Sequence, residues 1–188
     1  GDLGTSIAYF PAPVSEIIGN GLGWTIFLAG ISMIIAFLIG TTLGIIIAWN
    51  RTGKLDTILP PTLAFFGAFP YFWLALVFLY LFGFSLNWFP IGRAYGNEIN
   101  PGYNFPFFIS ALYHAFLPAL TLIFVSLGGW MLSMRNTMIS TLGSDYITFA
   151  HAKGIPSKLI MLRYAARNAI LPNLTGFGMA LGFMSVSY

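Results

Sequence analysis

Cysteine is absent, and charge is scarce: 188 residues carry five Asp or Glu, eight Lys or Arg and two His. Without cysteine the chain can form no disulfide and no thiolate metal site. Charged residues make up 7% of it, against about 25% in soluble domains. A chain this apolar cannot cover a globular surface with polar groups, so lipid is the solvent that suits it. No G-x-x-x-x-G-K-[ST] run occurs: Gly53-Lys54 is followed by Leu55 and lacks the upstream glycine, so no P-loop for ATP can be drawn. H-E-x-x-H is missing too, and two histidines with few acids leave no Ser/His/Asp set. No catalytic residue, metal site or resident cofactor is expected, and the chain is read as a non-enzyme. The modest net charge of +3 reports topology and does not suggest a nucleic-acid partner. The start lacks a basic leader and an initiator Met, and the end stops in an apolar run. Both ends are expected to lie inside a longer subunit.

What is present is long apolar segments. Residues 22–49 hold no charge over 28 positions, where about 20 suffice to span a bilayer. Residues 58–84 are equally free of charge, and a third apolar run from Phe105 gives a span over about 108–134. A fourth begins at Leu171 and covers 171–188. Lipid leaves backbone groups to satisfy themselves, and continuous, non-alternating runs predict helices rather than a barrel. The fold class is therefore an all-α integral membrane protein, a multi-span helical bundle with membrane lipid around it. Seven basic residues (Arg51, Lys54, Arg135, Lys153, Lys158, Arg163, Arg167) fall in two loops and only Arg93 on the other side. The positive-inside rule places residues 50–57 and 135–170 in the cytoplasm, and 1–21 and 85–104 outside.

The loop 135–170 is too long for a passive turn. It predicts a helix over about 137–153, with Met138, Leu142, Tyr146, Phe149 and Ala150 on one face. Gly154 suits a left-handed C-cap. Pro156 suits the first turn of a second helix to about Ala169, with Leu159, Leu162 and Ala166 on one side and Arg163 and Arg167 sharing another. Leu171-Pro172 is read as the entry to the fourth span.

Asp145-Tyr146, Ala150-His151-Ala152-Lys153-Gly154 and Arg163 to Pro172 together resemble the cytoplasmic "EAA" loop of bacterial and archaeal ABC importer permeases. The dipeptide, oligopeptide and oligosaccharide branch is the most similar. Gly1-Asp2-Leu3-Gly4-Thr5-Ser6, Phe69-Pro70-Tyr71-Phe72-Trp73-Leu74, Trp88-Phe89-Pro90-Ile91-Gly92 and His114-Ala115-Phe116-Leu117-Pro118-Ala119-Leu120 resemble its other motifs, in its order. Thr148-Phe149-Ala150 stands where the general pattern has Glu-Ala-Ala.

The resemblance implies the type I ABC importer permease fold and a subunit of the inner (plasma) membrane that forms a path for peptides or oligosaccharides. It implies three kinds of partner: cytoplasmic ATP-binding subunits that carry the ATP, a second permease subunit, usually a related distinct chain, and an extracytoplasmic solute-binding protein. Asp145, Thr148, Ala150, Ala152, Lys153, Gly154, Arg163, Arg167 and Pro172 would belong to the ATPase-coupling loop. Plainer readings stand beside these. In the plainer ones Gly154 is a cap alone, Asp145 marks the start of a solvated helix, and Arg163 and Arg167 sit near lipid headgroups. Gly40-x-x-x-Gly44 reads as packing, and His114 as an interfacial, hydrogen-bonded histidine. The competing functions are an ion-independent channel and a structural membrane subunit; few charges in the spans leave an ion-coupled pump little to work with.

Overall fold

The structure, a computed structural model, describes residues 4–184. Gly1 to Leu3 of the expected external lead-in, and positions 185–188 of the expected fourth span, lie outside them. The uncharged first run forms α1 (Val14–Trp49), which starts eight residues before the predicted span. Glu16 in its first turn complements the helix dipole. The third run forms α4 (Phe105–Leu142), opened by Asn104, whose side chain accepts from the Phe107 N–H at 2.9 Å. Pro118 lies inside α4 without ending it. Among the described residues α1 and α4 are each long and apolar enough to cross a membrane.

The second run differs from expectation. Residues 58–84 do not make one helix but two, α2 (Lys54–Gly67) and α3 (Tyr71–Ser85), bent by 98° at the break. Phe69-Pro70 causes this. A residue before proline is pushed out of the α region, and proline has no N–H to continue the ladder. Pro70 instead starts α3, accepting from the N–H of Trp73 at 3.0 Å. The α3 helix ends in a π-helical stretch, Leu79–Ser85.

α1 and α4 pack against each other at unusually short range, and glycine permits it. A Cβ on Gly40 would stand 2.8 Å from Trp130 Cβ, and one on Gly44 2.7 Å from the Met131 carbonyl oxygen. α2 reaches α4 by the same means: a Cβ on Gly128 would stand 2.8 Å from the Leu63 carbonyl oxygen. Ile47, Leu63, Leu127 and Met131 fill this three-helix junction. The packing reading of Gly40-x-x-x-Gly44 is the one the geometry bears out. Phe37 stacks on Phe177 at 4.4 Å and meets Trp130 edge-on at 5.3 Å, joining α1 and α4 to the last helix.

Near the N-terminus of α2 and the C-terminal end of α4, Asp56 meets Arg135. The guanidinium donates to both carboxylate oxygens, at 2.6 and 3.0 Å. The Arg135 hydrogen bonds hold the Asp56 carboxyl below its ordinary range, against the opposing effect of burial. A depressed folded value means the pair's contribution is complete above the unfolded carboxylate value of about 3.9 and is lost as pH falls through the folded one. The Asp56 side chain is 8% exposed and that of Arg135 24%, between the surface and buried cases. Asp56→Asn is expected to cost about 1–3 kcal/mol at neutral pH and to flatten the acid limb of the stability curve below about pH 4. Thermal unfolding of the purified subunit from pH 3 to 8 would check it; an unchanged acid limb would show that the pair contributes nothing.

Candidate functional site

The segment 135–170 folds back onto the ends of α1 and α4. Its predicted first helix is divided: 137–142 belongs to α4, a break falls at Gly143-Ser144, and α5 runs Asp145–Ala152. Its predicted second helix does not stop at Leu171-Pro172. A continuous helix, α6 (157–184), comprises Ser157–Leu159, a π-helical stretch Ile160–Ala166, and Arg167–Met184. Pro172 is therefore inside a helix rather than between two. A proline there removes one hydrogen bond, and the next residue supplies an anchor. Asn173 is buried and accepts from the Ser133 hydroxyl of α4 at 2.5 Å.

Gly154 has φ +72°, the left-handed region that favours glycine. Its N–H donates to the His151 carbonyl at 2.9 Å, and the Ile155 N–H to the Ala150 carbonyl at 3.2 Å. These two bonds make the Schellman pattern, which closes α5 and reverses the chain toward α6. Nothing lies within 4 Å of a Cβ added at Gly154, so backbone conformation and not crowding sets its residue type.

The buried face is not quite the predicted one. Met138, Ile147, Ala150, Ile160, Ala165, Ala166 and Ala169 form one cluster with Ala48 and Met134. Of the expected faces, Met138, Ala150 and Ala166 point in, while Phe149 (67%), Tyr146 (40%), Leu162 (48%) and Leu159 (37%) are exposed. The break after Leu142 resets the helical phase, and the π-helical stretch shifts it again, so a single 3.6-residue period across the segment misassigns these positions. Alanines sit inward because α6 approaches closely.

Among the expected site residues, Asp145, Thr148, Ala152, Lys153, Gly154, Arg163, Arg167 and Pro172 are exposed, and Ala150 is buried. Asp145, Thr148 and Ala150 share α5, with Ala152 at its end and Lys153-Gly154 in the turn. Arg163 and Arg167 lie along α6, and Pro172 lies further along it. Residues outside the expected set also shape the unit. Trp49, ending α1, stacks on His151 at 6.4 Å. Arg51 donates to the Ile139 carbonyl at 3.2 Å, and Asn168 donates to the Tyr146 hydroxyl at 3.1 Å. The run of basic residues marked the loop, but no local signal pairs Trp49 with His151 across a hundred positions.

On the opposite side, residues 86–104 pack onto α4 through the Tyr113 hydroxyl, which donates to the Trp88 carbonyl, and the Gly96 N–H, which donates to Ser110 Oγ at 2.9 Å. Phe89 stacks on Phe116 at 4.8 Å. The expected hydrogen bond of His114 is there: the ring is half-buried and bonded to the Ser110 carbonyl at 2.8 Å.

Residues 40–186 match the sequence profile of the family described as binding-protein-dependent transport system inner membrane component. The chain belongs to that family. The match takes in α2 to α6 and the glycine end of α1. Among curated relatives, the oligopeptide transport system permease protein AppB of Bacillus subtilis is 34% identical over 182 residues, covering 96% of this chain and 56% of its own length. The probable D,D-dipeptide transport system permease protein DdpB of Escherichia coli is 38% identical over 197 residues, covering 97% of this chain and 57% of its own. The glutathione transport system permease protein GsiC of Salmonella paratyphi A is 32% identical, covering 98% of this chain and 55% of its own. The chain thus spans slightly more than half the length of the relatives it matches. Family and apolar helices together point to an inner-membrane protein.

Proposed function

We propose that this chain is part of the permease subunit of an ATP-driven importer of the inner membrane, passing peptides delivered by an extracytoplasmic binding protein. The observation that carries the reading is the two-sided segment 145–170. One face is buried in the cluster around Met134 and Met138, and the other leaves Phe149, Leu159 and Leu162 exposed on the side where lipid is not expected. Large exposed apolar side chains in water mark a contact surface, and the family resemblance makes a cytoplasmic ATPase subunit the occupant. Lys153, Lys158, Arg163 and Arg167 would meet acidic groups of that partner at the rim. Relatives named for oligopeptides, dipeptides and glutathione favour peptides over oligosaccharides.

The mechanism follows from rigidity. Closure of the ATPase dimer on ATP would push the α5–Gly154 turn. α5 is packed into the same cluster as the ends of α1, α4 and α6, so a push there moves helices and not a loose loop. Asn173 and Ser133 would carry the motion from α6 to α4. The helices would rock between inward- and outward-facing states, and hydrolysis would reset them.

A photo-crosslinking residue at Ala152, in the intact parent subunit in native membranes, tests this. Capture of an ATP-binding subunit, identified by mass spectrometry and weakened by a bulky residue at Gly154, is the expected result. Capture of lipid or neighbouring helices alone would overturn it and favour the channel or structural reading.

A further inference from the structure

On the side opposite the coupling segment, two cavities share three wall residues. One, of about 210 Å³, lies between α3 and α4 and includes Leu79, Leu117 and Thr121. The other, of about 180 Å³, lies between α1 and α4 and includes Trp24 and Ala111. Arg93, His114 and Pro118 line both. Mostly apolar walls with a few convergent polar groups are the composition of a small-ligand site.

Arg93 is the donor here, and the His114 ring already spends its Nδ1–H on the Ser110 carbonyl. Arg93 is the single basic residue on its side of the chain and makes no ion pair among the described residues. It holds φ +71°, a conformation that costs a non-glycine residue about 1–2 kcal/mol. Strain of that kind persists only where the surrounding structure holds the backbone. The His114 ring nitrogen Nδ1 lies 2.8 Å from the Ser110 carbonyl. A carbonyl only accepts, so that nitrogen carries the proton and orients the ring. Arg93 is exposed where it lines both cavities, and a guanidinium with no carboxylate partner among the described residues suits an incoming carboxylate, which it can hold through two parallel hydrogen bonds.

Resting on the importer reading above, we propose that Arg93, oriented beside His114, binds the C-terminal carboxylate of the peptide as it enters the path. The flanking cavities take the adjoining side chain. The permease then selects for a free carboxyl end independently of the binding protein.

The test is uptake by the intact importer, reconstituted in proteoliposomes with its own binding protein, of one peptide as the free acid and as the C-terminal amide. The binding protein is the same throughout, so a change in the acid-to-amide rate ratio between variants belongs to the permease. Arg93→Gln is expected to lower that ratio about tenfold, the scale of one charge-assisted hydrogen-bonded contact, through loss of acid uptake alone. Arg93→Lys should restore part of it, and His114→Gln should lower it less. Unchanged amide uptake in Arg93→Gln shows the variant is folded. An unaltered ratio, or equal loss of both peptides, overturns the proposal; equal loss would assign Arg93 to docking of the binding protein or to folding. Failure of the wild type to take up either peptide with ATP would instead sink the importer reading.

Discussion

Gly44→Ala is expected to destabilise the protein by about 1–3 kcal/mol, and Gly40→Ala with it is expected to prevent α1 from docking on α4. At Gly44 the new Cβ would stand 2.7 Å from the Met131 carbonyl oxygen, 2.7 Å from Met134 Cβ and 3.0 Å from the Arg135 nitrogen. Two of those are backbone atoms of a helix, which cannot turn aside as the tip of a side chain can. Separating the helices would also open the junction of Ile47, Leu63, Leu127 and Met131. Helix propensity pulls the other way, because alanine is favoured over glycine by about 1 kcal/mol in a helix interior. Gly129→Ala isolates that term: it lies one residue beyond Gly128 in the same helix, and nothing stands within 4 Å of its new Cβ. Thermal midpoints of the three variants in detergent should therefore split, with Gly129→Ala at or above the parent and the other two well below. Equal midpoints would mean the helices cross more loosely than these distances state.

Phe149→Ala is expected to weaken capture of the ATPase subunit about 30-fold or more, the effect of losing one interface anchor of about 2 kcal/mol. The ring is 67% exposed, on α5, so its removal opens no cavity in the subunit. Its neighbour two residues back behaves oppositely. Ile147 is 3% exposed, and Ile147→Ala should cost about 2–5 kcal/mol of stability through the cluster it shares with Met134 and Ile160. The pair separates docking from folding. A pull-down of the ATPase subunit on detergent-solubilised permease, run beside thermal unfolding, reads both. If Phe149→Ala lowered the midpoint as much as Ile147→Ala and left capture intact, the exposed face would not be the docking face.

The sequence made the solvent legible because composition alone decides it: a chain with 7% charge cannot be dissolved by water. Uncharged runs gave the two long helices. Gly154 was legible as a cap because only glycine takes φ near +72° at little cost. The glycine pair in α1 was legible as packing for the same reason of size, though not its partner.

Three features needed the tertiary structure. The break at Phe69-Pro70 turned a run that hydropathy reads as one span into two helices at 98°, because hydropathy averages over a window and is blind to a missing N–H. The helix through Pro172 continued where local rules end it, because Asn173 hydrogen-bonds to Ser133, forty positions away in the chain. The faces of 145–170 shifted because a break and a π-helical stretch each change the helical phase, and phase accumulates along a chain. Composition and local stereochemistry determined the medium, the two long apolar helices α1 and α4, and the Gly154 turn. Long-range packing decided where the helices bend, which faces meet, and that Arg93 and His114 share a wall, since those depend on atoms that no local stretch of sequence brings together.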